Sequence, residues 1–78
     1  MIRRHDLVKF IGPSVCKFFT CEGSHDAIIA DGVVGLALAD EFDAWMSGVK
    51  CEILIGNEVF EASSEDLVVI QKGAVNVV

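Results

Sequence analysis

The stretch from Lys50 to Ile70, KCEILIGNEVFEASSEDLVVI, constrains the fold more than any other part of the chain. Side chains alternate across a strand, so Cys51, Ile53 and Ile55 share one face while Lys50, Glu52 and Leu54 share the other. Gly56-Asn57 supplies a two-residue connection, because glycine accepts φ > 0 at the first central position of a primed hairpin turn. Glu58 to Ala62 returns as the second strand. Ser63-Ser64-Glu65-Asp66 then makes one tight turn, and Leu67 to Gln71 is a third strand. Two strands in a tight hairpin, a short turn and a closing strand make the back half of a small β-barrel. The stretch carries no catalytic constellation.

The remaining residues divide into short pieces, as an all-β domain requires. Asp6 to Ile11 (DLVKFI) reads as the first strand, with Val8 and Phe10 on one face and Leu7, Lys9 and Ile11 on the other. Gly12-Pro13-Ser14 ends it, since proline has no ladder donor and presets a turn. Val15 to Thr20 (VCKFFT) is extended, with Phe18 and Phe19 on opposite faces. Glu22 to Asp26 reads as a polar loop tip. Ala27 to Ala39 (AIIADGVVGLALA) is apolar enough for a helix, but Gly32 and Gly35 each disfavour one by about 1 kcal/mol relative to alanine. The preferred reading is an extended arm to Ala30 and a strand from Val33 to Ala39, with Gly35 marking a bulge or bend. Asp40 to Gly48 (DEFDAWMSG) opens on a candidate N-cap with acids in the first turn, and reads as one helical turn. Ala74 to Val78 is an edge strand or a tail.

This order resembles the SH3-like barrel superfold over Asp6 to Gln71. A first strand leads into a long arm-like loop, Gly12 to Gly32. A glycine-containing second strand (VVGLALA), a tight hairpin (CEILIGNEVFEA), a turn of 3₁₀ type (SSEDL) and a closing strand (VVI) follow. The resemblance implies an all-β, five- to six-stranded SH3-like barrel with one short helical turn. It spans residues 6–71, between an N-terminal arm (1–5) and a C-terminal strand or tail (72–78). Departures from particular families are informative. Signalling SH3 domains bind proline-rich helices through a tyrosine-rich groove, and this chain has no tyrosine. Chromatin-reading relatives use an aromatic cage, for which Trp45, Phe42 and Phe18 are the available walls. The plasmid-borne type II dihydrofolate reductases are similar in length and class, but Glu58 to Ala62 lacks their Val-Gln-Ile-Tyr segment. Small barrel subunits of photosystems and dehydrogenases resemble the outline without a residue-level match.

Length and charge bound the function. A chain near 60 residues buries only about 60% of its unfolded surface, and 78 residues with 53% hydrophobic content exceed what one small barrel hides. An exposed apolar patch is therefore expected, of the kind that marks an interface. The formal net charge of −6, from twelve acidic and six basic residues, argues against phosphate-backbone binding. The basic cluster Arg3-Arg4-His5 reads as a solvated arm. Ala27 to Ala39 is interrupted by Asp31 and is shorter than the ~20 residues a bilayer needs. Three cysteines make a poor disulfide framework and fit a cytoplasmic location.

Four groups of residues have side chains suited to chemistry or contact. Cys16, Cys21, His25 and Cys51 have the donor types for tetrahedral zinc. Their spacing opposes it, because residues five apart on a strand point to opposite faces; three reduced cysteines and a surface histidine are expected instead. A thiol nucleophile with His25 or His5 as base needs a proximity that the sequence does not supply. Asp40, Glu41 and Asp43 read as the acidic start of a helical turn. Phe42, Trp45 and Met46, at i, i+3 and i+4, would form one helical face, which caps the core or anchors a partner. The expected function is a non-enzymatic interaction module that self-associates or docks on a protein partner through Phe42, Trp45, Met46 and Phe18, with no cofactor and no metal. The alternatives are a small oligomeric enzyme with its site at a subunit interface or pore, and a nucleic-acid-binding barrel.

Overall fold

The computed structural model describes residues 1–73; Ala74 to Val78, expected as a strand or tail, lie outside them. The elements in chain order are β1 (Leu7–Phe10), β2 (Ser14–Thr20), β3 (Gly23–Ile29), β4 (Val34–Ala37), β5 (Phe42–Asp43), β6 (Val49–Ile55), β7 (Glu58–Ser63), a 3₁₀ turn (Ser64–Asp66) and β8 (Leu67–Gln71). All pair antiparallel in one eight-stranded sheet of order β3-β2-β7-β6-β4-β1-β8, with β5 added to β6 off that path. The sheet is open, and β3 and β8 are its edges. No helix among the described residues is long and apolar enough to cross a membrane.

The alternation read from Lys50 to Ile70 sets the centre of this sheet. Ile55 and Glu58 are directly opposite, so Gly56-Asn57 is the whole connection between β6 and β7, and Gly56 has φ +63°. Cys51 and Ile53 are fully buried beneath β6. They join Val8 and Phe10 of β1, Cys16 of β2, Ala37 of β4, Phe60 and Ala62 of β7 and Leu67 of β8 in one cluster. Every main-path strand thus sends side chains to one shared interior.

The opposite face carries the apolar surplus. Val59 lies opposite Leu54, Leu54 opposite Leu36 and Leu36 opposite Leu7, a row of apolar side chains running outside the sheet across four strands. Phe19, Val15 and Ile28 are among the exposed apolar residues of the same molecule.

Several expectations are corrected. Among the described residues the strands number eight, because the arm-like loop is itself a hairpin and Phe42–Asp43 adds a short strand. Glu22 to Asp26 is not a loop tip: only Cys21-Glu22 turn, and Gly23 onward is β3, paired to β2 without interruption from Thr20↔Gly23 to Ser14↔Ile29. Asp40 to Gly48 is not helical. Phe42 and Asp43 pair with Lys50 and Val49, and the Ala44 amide donates to the Gly48 carbonyl at 2.8 Å, closing a hairpin instead. The helical turn of the fold is the 3₁₀ segment that SSEDL suggested. The strand expected over Val33–Ala39 is confined to β4. Gly35 makes no bulge there and sits opposite Val8 in regular register. Its value is close approach: a Cβ would meet the Ile53 side chain and stand 2.9 Å from the Leu54 carbonyl oxygen. The bulge lies elsewhere, between Leu7 and Val8 where β1 meets β8.

The N-terminal residues are only partly a solvated arm. Arg3 and Arg4 are exposed, but Ile2 is in the core. Its amide donates to Glu41 Oε1 at 2.6 Å, and its carbonyl accepts from the Glu41 amide at 2.9 Å.

Candidate functional site

The residues singled out for partner binding separate into two places. Phe42, Trp45 and Met46 share the hairpin formed by β5 and β6. The Ser47 amide donates to the Ala44 carbonyl at 2.7 Å, so Trp45 and Met46 are the central residues of a tight turn. Met46 has φ +65°, a left-handed conformation that glycine adopts freely and other residues adopt at a cost. Trp45 is 86% exposed and Met46 91%. Phe42, on the two-residue β5, is 40% exposed. A helical face of three residues is therefore replaced by an aromatic and a thioether at a turn tip, with Phe42 at its base.

Phe18 belongs elsewhere. It is half-buried against the core cluster, its ring centre 5.6 Å from Phe60 and 5.4 Å from the His25 imidazole. It supports β2 and β3 on the interior side. An aromatic cage built from Phe18, Phe42 and Trp45 is not how these three residues are used.

Beside the exposed tip lies a cleft of about 350 Å³. Ala44 and Ser47 of the tip hairpin form one wall, with Lys50 of β6; Val15 and Lys17 of β2, Asp26 of β3 and Glu61 of β7 form the rest. Register explains why these side chains converge. Asp26 lies opposite Lys17 and Lys17 opposite Glu61, so three charged side chains stand in one row outside the sheet. Lys17 Nζ is 3.2 Å from Asp26 Oδ1. Lys50 and Glu61 have no ion-pair partner among the described residues. The cleft thus presents one satisfied pair and two charges open to a ligand, next to two large exposed apolar side chains.

The candidate metal group does not assemble. Cys16 and Cys51 are buried and Cys21 is exposed. Among the described residues no three His, Cys, Asp or Glu side chains are placed to hold an ion. Burial pushes the Cys51 thiol up to about 11, with Glu41 and Glu52 adding to it. Burial also raises Cys16, against its hydrogen bond with the Ser14 side chain. Both stay protonated at neutral pH, the inert state of a packed thiol. His25 Nε2 is 3.3 Å from Thr20 Oγ1, an exposed cross-strand contact.

One polar residue that the sequence did not single out holds the molecule together. Asp6 is 1% exposed. Its Oδ1 accepts from the Gly73 amide at 2.8 Å, its Oδ2 accepts from the Arg3 amide at 3.0 Å, and Lys72 Nζ stands 3.5 Å away. Burial acts to raise its carboxyl; the Gly73 and Arg3 amides and the Lys72 ammonium outweigh that and hold it below its ordinary value. Nothing in DLVKFI distinguishes this aspartate from a surface one. Asp66 has a similar part on a smaller scale, accepting from the buried Ser14 hydroxyl at 2.7 Å.

No protein-family model, curated protein or solved structure matches this chain.

Proposed function

We propose that this chain is a small non-enzymatic interaction module, an SH3-like barrel in type, that docks on a protein partner or on itself through the Phe42–Trp45–Met46 hairpin and the cleft beside it. The observation that carries the reading is the tip. A tryptophan and a methionine stand 86% and 91% exposed, and Met46 occupies a backbone conformation at φ +65° where glycine would sit without strain. Strained backbone that displays a large apolar side chain to water costs stability and finds its use in binding. Tryptophan is the residue type most enriched among interface hot spots.

The barrel reading is supported by the strand neighbours: β1 between β4 and β8, and β6 between β4 and β7. It is also supported by the single interior to which all main-path strands contribute. Three unpaired cysteines suit a reducing, cytoplasmic setting. Lys50 and Glu61 in the cleft give a partner's charged side chains something to meet and set orientation more than affinity.

The test is affinity capture with quantitative comparison of wild type and Trp45→Ala. Loss of a specific, saturable partner in the Trp45→Ala variant, with the fold intact by circular dichroism, is the expected result. Equal capture by both proteins removes the tip from the reading.

A further inference from the structure

The two edges of the sheet are built differently. β8 is five residues long, opens from the 3₁₀ turn, and pairs irregularly with β1 across a bulge. Bulges and short strands are how proteins blunt an edge. β3 is seven residues long, keeps seven consecutive pairs with β2 without a shift, and among the described residues has no neighbour on its other side. It contains no proline and no lysine, and its single carboxylate, Asp26, is engaged by Lys17 at 3.2 Å.

The hairpin dictates which groups that edge offers. Cys21-Glu22 is a two-residue loop closed by Thr20↔Gly23, so that pair is hydrogen-bonded and the bonded pairs alternate from there. Gly23, His25, Ala27 and Ile29 turn their amides and carbonyls to β2. Ser24, Asp26 and Ile28 turn theirs to the free edge. Ile28 is 74% exposed and its opposite number on β2, Val15, 68%.

We infer that β3 is a self-pairing edge, and that two copies of the chain join their sheets antiparallel about a two-fold axis through Ile28. A two-fold interface places a residue against itself, and the side chains choose which one. Centring on Asp26 sets two carboxylates opposite each other, which is destabilising. Centring on Ala27 sets each Ile28 against the partner's Asp26. Centring on Ile28 joins Val15 and Ile28 of one copy to the same pair of the other, four apolar side chains in one row, and moves both Asp26 side chains away from the axis. Ile28 also has the free amide and carbonyl that the central bonded pair requires.

The inference goes beyond the proposed function: it gives the chain a self-pairing surface apart from the Phe42–Trp45–Met46 hairpin, and the Trp45 tip is not part of it. Centred on Ile28, one residue from the end of β3, the strand pairing is Ala27 to Ile29 of each copy; it covers less than a stable dimer interface, so association is weak. Each copy carries a net charge of −6, so added salt strengthens it by screening.

The test combines molar mass with site-directed crosslinking. Sedimentation is expected to show a concentration-dependent monomer–dimer equilibrium, tighter at high salt. In a Cys21→Ser background the remaining Cys16 and Cys51 are buried. There Ile28→Cys places two thiols on strands with Cα atoms about 5.5 Å apart and crosslinks with a short bifunctional thiol reagent. Ser24→Cys, four residues from the axis, places its pair roughly 27 Å apart at ~3.4 Å per residue and does not. Ile28→Pro removes an amide that β2 does not use and is expected to be monomeric; the cysteine comparison decides even if that variant folds poorly. Trp45→Ala leaves the crosslink unchanged, which separates this surface from the tip. A wild-type chain that remains monomeric at ~1 mM, the weak end of specific association, overturns the inference. Equal crosslinking at positions 24 and 28 does so as well.

Discussion

Strand β6 belongs to two hairpins, and they are opposites. At its C-terminal end it turns through Gly56-Asn57 into β7, six residue pairs long, with Ile53 opposite Phe60 in the interior. At its N-terminal end it pairs with a β5 of two residues, and the turn between them lifts Trp45 and Met46 into solvent. The first hairpin places a glycine where the backbone needs φ > 0; the second places a methionine there. One hairpin is optimised for folding and the other is not. The β6–β7 hairpin therefore supplies side chains to the core, whereas Trp45 and Met46 of the second hairpin are ones the core does not use.

The largest expected effect tests that division directly. Ile53→Ala empties space under β6 where the wild-type side chain is fully buried and is expected to cost about 2–5 kcal/mol in chemical denaturation. Close behind it, Gly35→Ala drives a methyl group into Ile53 and the Leu54 carbonyl, and overpacking of this kind costs about 1–3 kcal/mol. A loss below ~0.5 kcal/mol in either, the range of ordinary surface changes, would show that the interior of this hairpin does not dominate.

At the two turns the signs should differ. Gly56→Ala strains a φ of +63° and is expected to destabilise by about 1 kcal/mol. Met46→Gly relieves the same kind of strain and is expected to stabilise by up to ~1 kcal/mol. Thermal denaturation of the pair checks this, and a destabilised Met46→Gly would mean that the tip packs on something it needs. Trp45→Ala is the smallest effect, within ~0.5 kcal/mol.

Asp6, held by Arg3, Lys72 and Gly73 and outside both hairpins, gives the fold a pH dependence. Its folded pKa lies below the ordinary value of 3.8. The stabilisation it supplies is therefore present above that value and lost as pH falls through the lower folded one. Asp6→Asn should have a lower midpoint than wild type at pH 6, and the gap should close as both are acidified toward pH 2. A gap independent of pH would show that the carboxylate charge is not what matters.

The two hairpins also mark what was legible in the sequence. β6, β7 and β8 were readable because one side of each strand faces the interior, so burial writes an alternating pattern into KCEILI and EVFEA. β3 was not, because nearly all of Gly23 to Ile28 is exposed or half-exposed. A strand without a buried face leaves no alternation, and its Gly, Ser, His and Asp looked like loop chemistry. The β5 segment misled for a different reason. Phe42, Trp45 and Met46 fall at helical spacing by coincidence, and the acids before them imitate a helix start. Pairing with β6 overrides both signals, and Glu41 holds Ile2 from two sides: its carboxylate accepts from the Ile2 amide, and its own amide donates to the Ile2 carbonyl. The tip residues named from the sequence are together at the candidate site, whereas Phe18 is part of the interior wall. Lys17, Asp26, Lys50 and Glu61 were out of reach, because charges that converge on one cleft from four strands do so only once register is known.

The Asp6 clasp has a consequence in time. Its bond to Gly73 spans 67 positions of sequence, among the longest closures in the molecule, and long-range closures are what make sheet proteins slow to fold. On the ribosome it cannot form until Gly73 has emerged. During synthesis the β6–β7 hairpin can therefore zip while β1 still lacks its β8 neighbour, and the interior of the nascent chain stays open until β8 has joined it. Chaperones and self-pairing edges compete for a chain in that state, so the moment at which Asp6 finds its partners decides how long this one is exposed to them.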